Sequence, residues 1–175
     1  MGKKKFIWGL VILGIVSIAM VIIGRTIFVT FYRVPTTAME PTIPNGSKIW
    51  VRRAFYDLQR GDVVVFVSPT EGKKKLFVKR LVGLPGEAIE IRDGNIIADD
   101  KIVVEPSIVK VYYYNIGEYA KVGKKIYIAK KHYYALGDNS KMSLDSRFFG
   151  PVHEKSIKGK AIFIITPDGK LNNIE

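Results

Sequence analysis

Lys79 stands inside Leu76-Phe77-Val78-Lys79-Arg80-Leu81-Val82, an apolar run of strand-like composition. An ammonium there is poorly solvated, so the neutral amine is favoured. A lysine whose pKa falls from about 10.4 toward about 7–8 can serve as a general base at ordinary pH. Such a base can take the proton from a hydroxyl and make it a nucleophile, with no histidine required. The competing reading is a surface lysine on an edge strand, and Lys79 alone does not exclude it. Two other segments hold groups that could work with an amine. One is Pro35-Thr36-Thr37-Ala38-Met39-Glu40-Pro41-Thr42-Ile43-Pro44; the other is Gly137-Asp138-Asn139-Ser140-Lys141-Met142-Ser143-Leu144-Asp145-Ser146-Arg147.

These three segments, in this order, resemble the type I signal peptidases, a serine–lysine membrane endopeptidase family. The first is similar to the S-M-x-P-T loop, with Ala38 where the serine is expected. Phe77 to Glu87 is similar to the segment that supplies the lysine base, and Gly137 to Arg147 to the G-D-N-x-x-x-S-x-D-S-R box. The resemblance runs from Val34 to about Pro151. It implies that position 38 carries the nucleophile and Lys79 is the general base. It implies that the N–H of residue 38 and the Thr36 hydroxyl support the oxyanion, and that Ser143 orients the Lys79 amine. Donors preset at a developing oxyanion are commonly the largest electrostatic term in acyl transfer. Asp145 and Arg147 are expected as a bracing ion pair, their two-residue spacing suiting one face of an extended segment. Val34, Met39, Ile43, Phe77 and Val78 match apolar positions near the cleavage pockets. The implied activity is removal of N-terminal signal peptides from exported preproteins, cutting after small residues in A-x-A sequences, with no metal and no cofactor. The substrate backbone would add as a strand beside the site.

Alanine has no group that attacks a carbonyl, so the chain as written is expected to be inactive. Two origins fit: a serine replaced to trap substrate or stop self-cleavage, and a natural non-catalytic homologue acting as a membrane-anchored signal-peptide-binding module. Retention of Lys79, Ser143, Asp145 and Arg147 favours the first, because a half-buried lysine is costly to keep without use. A shifted nucleophile at Thr37 is disfavoured, since its side chain should point away from that of residue 38 on an extended loop. His132 and His153 lie outside these motifs and read as surface or packing residues.

The elements that must carry this chemistry begin with an anchor. Phe6 to Ile23 is a charge-free run, FIWGLVILGIVSIAMVII. At 1.5 Å per residue it spans roughly 27 Å, about the hydrocarbon thickness. It exceeds a secretory h-region and no A-x-A site precedes Gly24-Arg25, so an uncleaved anchor is expected. Lys3, Lys4 and Lys5 before it against Arg25 after it place the N-terminus in the cytoplasm. The expected organisation is a cytoplasmic segment 1–5, a transmembrane anchor 6–25 and an extracytoplasmic β peptidase domain 26–175, single-pass in the plasma membrane. Thr26 to Tyr32 should continue the helix into the interface or begin the first strand. The net charge of +12 then reads as attraction to anionic lipid, with no nucleic acid partner, since no stacking motif accompanies the basic residues. There is no cysteine, which removes disulfides, thiolate metal sites and a cysteine nucleophile.

Beyond the anchor the fold class expected is mainly β and antiparallel. Strands are read at Lys48–Arg52, Asp62–Val67, Leu76–Val82, Ala88–Arg92, Asn95–Ile97, Ile102–Val104, Val109–Tyr114, Lys125–Ala129, Tyr133–Leu136 and Ala161–Ile165. Asp93-Gly94 is the strongest hairpin signal. Lys73-Lys74-Lys75 reads as an exposed loop, and Tyr112-Tyr113-Tyr114 as rings on both faces of a strand.

Overall fold

A computed structural model describes residues 2–54, 56–70 and 75–174; within its first helix, the side chains at 3–6, 9, 22, 23 and 25–27 lie outside that description. Helix α1 spans Gly2–Phe28, twenty-seven residues, and passes directly into strand β1, Val29–Arg33. Within the segment Thr26 to Tyr32 the helix therefore continues to Phe28 and the first strand begins at Val29. Every described side chain from Leu10 to Val21 is exposed. Among the described residues no helix is long and apolar enough to cross a membrane. The charge-free run from Phe6 to Ile23 lies partly outside the described side chains. Lys73 and Lys74 of the expected loop also lie outside the described residues.

The rest is antiparallel β. One sheet has the order β1-β2-β11-β3-β4-β9-β10, with β12 attached to β11. Its strands are β2 (Lys48–Arg52), β3 (Val63–Val67), β4 (Leu76–Gly83), β9 (His132–Leu136), β10 (Val152–His153), β11 (Ile157–Ile165) and β12 (Leu171–Asn173). A second sheet, β7-β6-β5-β8, comprises β5 (Ala88–Arg92), β6 (Asn95–Ala98), β7 (Lys101–Ile102) and β8 (Ile126–Tyr127). Between β5 and β6 the turn residues Asp93 and Gly94 take φ values of 50° and 79°. Positive φ at both positions is what a two-residue turn matched to strand twist requires. Val63, Val64, Val65 and Phe66 are all buried, as a β-branched run in a central strand should be.

Val109–Tyr114 is not a strand. Helix α2 (Pro106–Val109) runs into it, and the backbone donors that follow find other partners. Tyr113 N–H donates to the Gly94 carbonyl and Tyr114 N–H to Ser140 Oγ, so no ladder forms. Tyr113 is buried, while Tyr112 and Tyr114 meet edge-to-face outside it. Nor is Asp145–Arg147 extended: Ser146–Phe149 forms a short helix, α3, with Asp145 as its N-cap accepting from the Arg147 N–H. The ion pair forms because cap and second helical residue face each other.

Candidate active site

Strand register brings the three segments together. Lys79 pairs with Val64 of β3, and one residue later Arg80 pairs with Leu136, the last residue of β9. Gly137 to Arg147 therefore leaves the sheet beside Lys79. Its N–H groups reach the turn that holds residue 38: Asn139 N–H donates to the Ala38 carbonyl at 3.1 Å. The contact is close-packed as well as hydrogen-bonded. A Cβ on Gly137 would stand 2.2 Å from Ser143 Oγ and 2.5 Å from the Ala38 oxygen. Ser143 and Ala38 thus converge on a space that only glycine leaves open.

Lys79 is 4% exposed, and its amine makes no hydrogen bond or ion pair with the described residues. Its ammonium position lies 5.5 Å from the centre of the Phe77 ring. Burial lowers its pKa from 10.5 to about 8; Asp145 and Asp138 pull it back up, Arg147 pushes it further down, and burial prevails. This is the range in which an amine can act as a base. Ser143 Oγ is buried without a hydrogen-bond partner among the described residues. A buried hydroxyl so placed has donor and acceptor capacity to spend on a neighbour such as an amine.

Ala38 lies in a turn and is 6% exposed. Its N–H donates to none of the described residues, leaving a backbone donor free in this turn. Thr36 and Thr37 sit on a bend before it, Thr36 exposed and Thr37 half-buried. That stretch is bent where an extended loop was expected.

Val34, Met39 and Ile43 are core residues, none more than 2% exposed, packed with Ile49, Val51 and Val63. They shape the loop from beneath. The apolar surface a peptide could touch comes from Phe77 and Val78, both half-buried on β4. His132 and His153 face each other across β9 and β10 with ring centres 4.8 Å apart, a packing contact.

Two buried ion pairs hold this arrangement. Arg147 Nε donates to Asp145 Oδ1 and Nη2 to Oδ2, each at 2.8 Å, with both side chains fully buried. The remaining guanidinium protons go to Ser140 Oγ at 2.6 Å, to the Ser140 carbonyl at 2.7 Å, and to the Tyr114 and Ser143 carbonyls. Asp145 Oδ2 also accepts from Gly137 N–H at 3.1 Å. One fork therefore fixes both ends of the loop that carries Ser143. The second pair, Arg80–Asp138, was missed in the sequence. Arg80 Nη2 donates to Asp138 Oδ2 at 2.7 Å, Nη1 to the Gly61 carbonyl, and Nη2 also reaches Thr42 Oγ1 at 3.4 Å. The signal available was position: Arg80 adjoins Lys79, and Asp138 adjoins Gly137.

The chain matches the family described as signal peptidase, peptidase S26, over residues 7–166. It is 32% identical to signal peptidase I V of Bacillus subtilis (strain 168) over 167 residues, 90% of this chain and 96% of that one. It is 30% identical to signal peptidase IB of Staphylococcus aureus (strain COL), over 94% of this chain and 92% of that one. A crystal structure of a signal peptidase I from Enterococcus faecalis V583 aligns with 29% identity and a TM-score of 0.47, covering 61% of this chain and 98% of that chain.

Proposed function

The chain belongs to the signal peptidase family, peptidase S26, a family of serine endopeptidases, and on that premise we propose a membrane-anchored signal peptidase site disarmed at its nucleophile. The observation that carries the proposal is Lys79: a buried amine, pKa brought to about 8, on the strand beside which the loop of Ser143 leaves the sheet, that loop packing on the turn of residue 38 with the Ser143 hydroxyl unpaired among the described residues. With serine at 38, the neutral Lys79 amine would take the hydroxyl proton as oxygen attacks the scissile carbonyl. The N–H of residue 38 and the Thr36 hydroxyl would hold the oxyanion. Lys79 would return the proton to the leaving amine, and a water activated by the same amine would release the acyl group. Ser143 would keep the amine aimed through this cycle. Alanine deletes the attack and leaves every other part in place.

The substrates proposed are signal-peptide-bearing preproteins, taken as an added strand with small residues near the scissile bond. The anchor is α1. A helix apolar all round needs either a protein core or lipid to cover it, and its described side chains from Leu10 to Val21 are covered by nothing in this chain. With the lysines at 3–5 holding the N-terminus in the cytoplasm, the domain from residue 26 would work on the outer side of the plasma membrane.

The test is Ala38→Ser. Cleavage after small residues is expected, read by mass spectrometry of the products. Silence of a folded Ala38→Ser protein would favour the second reading, which Ala38 itself supports: a non-catalytic homologue that binds signal peptides without cutting.

A further inference from the structure

The register that joins α1 to the sheet also sets two arginines at the end of the helix. Val29, the first residue after α1, pairs with Arg52 of β2, and Arg53 N–H donates to the Phe28 carbonyl at 2.9 Å. If α1 spans the bilayer, as proposed above, these positions stand at the depth of the lipid headgroups. Both arginine side chains are exposed, and neither has a hydrogen-bond or ion-pair partner among the described residues. Arg52 lines an open hollow of about 570 Å³ with Tyr56, Asp57, Gln59 and Lys160. Across the sheet its register partner is Lys160 of β11. Two cations directly opposite in a sheet oppose each other. Lys160 is answered by Asp62 at 2.6 Å, whereas Arg52 is not. Asp57 is the acid on the rim, and it leaves the hollow with cationic donors in excess. Two residues before Arg52, on the same face, half-buried Trp50 meets the exposed ring of Phe31 edge-to-face.

We propose that Arg52, in this polar hollow, and Arg53, in the adjoining one that shares Tyr56 and Asp57 with it and also holds Glu154 and Lys155, form a binding site for the phosphate of an anionic phospholipid headgroup at the foot of the anchor. A guanidinium fork suits a phosphate, and a glycerol headgroup can hydrogen-bond Gln59 and Tyr56. The site would choose among lipids and seat the sheet at a fixed height above the bilayer. It rests on the anchor reading of α1 and adds to it a lipid preference.

The experiment uses the full chain, reconstituted in vesicles for flotation and held in detergent for lipid titration by native mass spectrometry. The lipids are phosphatidylglycerol and phosphatidylcholine, and inorganic phosphate is added as a competitor. Phosphatidylglycerol should bind in preference to phosphatidylcholine. Arg52→Gln and Arg53→Gln should each weaken phosphatidylglycerol about fivefold, leaving phosphatidylcholine unchanged. Lys124→Gln, which removes an exposed cation already paired with Glu118, should leave both unchanged. Millimolar phosphate should not compete; full competition would mark a free-phosphate site and overturn the lipid assignment. Flotation with both vesicle types, but equal phosphatidylglycerol binding by parent and arginine variants, would overturn the headgroup site and spare the anchor. Failure to float with either would overturn both.

Discussion

The Asn139 N–H donates to the Ala38 carbonyl at 3.1 Å, so the loop after β9 is tied by its backbone to the turn that holds Ala38. This bond needs close approach, and Gly137 permits it. A methyl at 137 would collide with Ser143 Oγ at 2.2 Å and with the Ala38 oxygen at 2.5 Å, and the second is backbone that cannot swing aside. Gly137→Ala should destabilise the fold by about 1–3 kcal/mol. In an Ala38→Ser background it should also abolish cleavage at temperatures where the protein remains folded. Thermal unfolding and a peptide assay check both; unchanged activity would mean that residue 38 and Ser143 do not act as one site.

Lys79 links that site to stability with a sign that can be worked out. Its folded-state pKa, about 8, lies below the ordinary 10.5 because burial disfavours the ammonium. Below pH 8 the folded state carries the whole cost. Between 8 and 10.5 the folded protein sheds the proton first, the unfolded chain binds more protons, and stability rises with pH. Lys79→Met should therefore stabilise the protein at pH 7, by on the order of 3 kcal/mol. The gain should fade as pH rises toward 10.5. A pH series of denaturation midpoints for parent and variant measures it. A less stable variant at pH 7 would contradict the buried, uncompensated amine.

On the proposed reading, the same value should govern catalysis once a serine is present. In Ala38→Ser, kcat should climb with pH through about 8 as the amine loses its proton, and a chelator should leave it unchanged. A rate flat between pH 6 and 9 would remove Lys79 from the role of base.

Arg147 and Asp145 are fully buried, and their fork is shared with Ser140, Ser143 and Tyr114. Breaking such a pair leaves a charge without partner or water, at about 3–5 kcal/mol. Arg147→Ala should lose that much by chemical denaturation. Arg147→Lys should lose less stability, yet in the Ala38→Ser background should still lose activity, because one ammonium cannot hold both ends of the loop. Equal activity of the lysine variant would make the pair a stability device only.

What was legible in the sequence is what short-range chemistry controls. Asp93-Gly94 announces its hairpin because both residues tolerate positive φ. Lys48–Arg52 alternates, and its strand has those bounds. The Tyr112-Tyr113-Tyr114 run misleads because ring packing and strand propensity look alike at three residues; here the donors go to Gly94 and Ser140 instead. Helix α3 is four residues long, too short to show a period, though Asp145 before it and Gly150 after it are cap residues. The Arg80–Asp138 pair joins residues 58 apart and depends on the β4–β9 register, which no local pattern encodes. The apolar neighbours of Lys79 agree with its burial, although only the resemblance of the three segments singled it out, whereas the burial of Val34, Met39 and Ile43 under the loop had no local signal.

The chain as it stands, with alanine at 38, should bind signal-peptide substrates and release them intact. On the proposed reading, the missing hydroxyl removes only the covalent step. The Ala38 N–H remains free, the Asn139 bond still holds its turn, and Phe77 and Val78 still offer half-exposed apolar surface on β4. Binding energy that normally serves the transition state would then be seen as affinity for the ground state. Small residues near the scissile position should matter, because bulk forced against a packed loop costs about 1–3 kcal/mol. A titration of the detergent-solubilised chain with a precursor carrying A-x-A, beside one with bulky residues there, reads this directly. The first should bind about tenfold or more tightly than the second, by the same energy. Both should be recovered uncut. Equal affinities would mean that the groove does not read cleavage sites. Any cleavage by the unsubstituted chain would mean that a group other than residue 38 attacks.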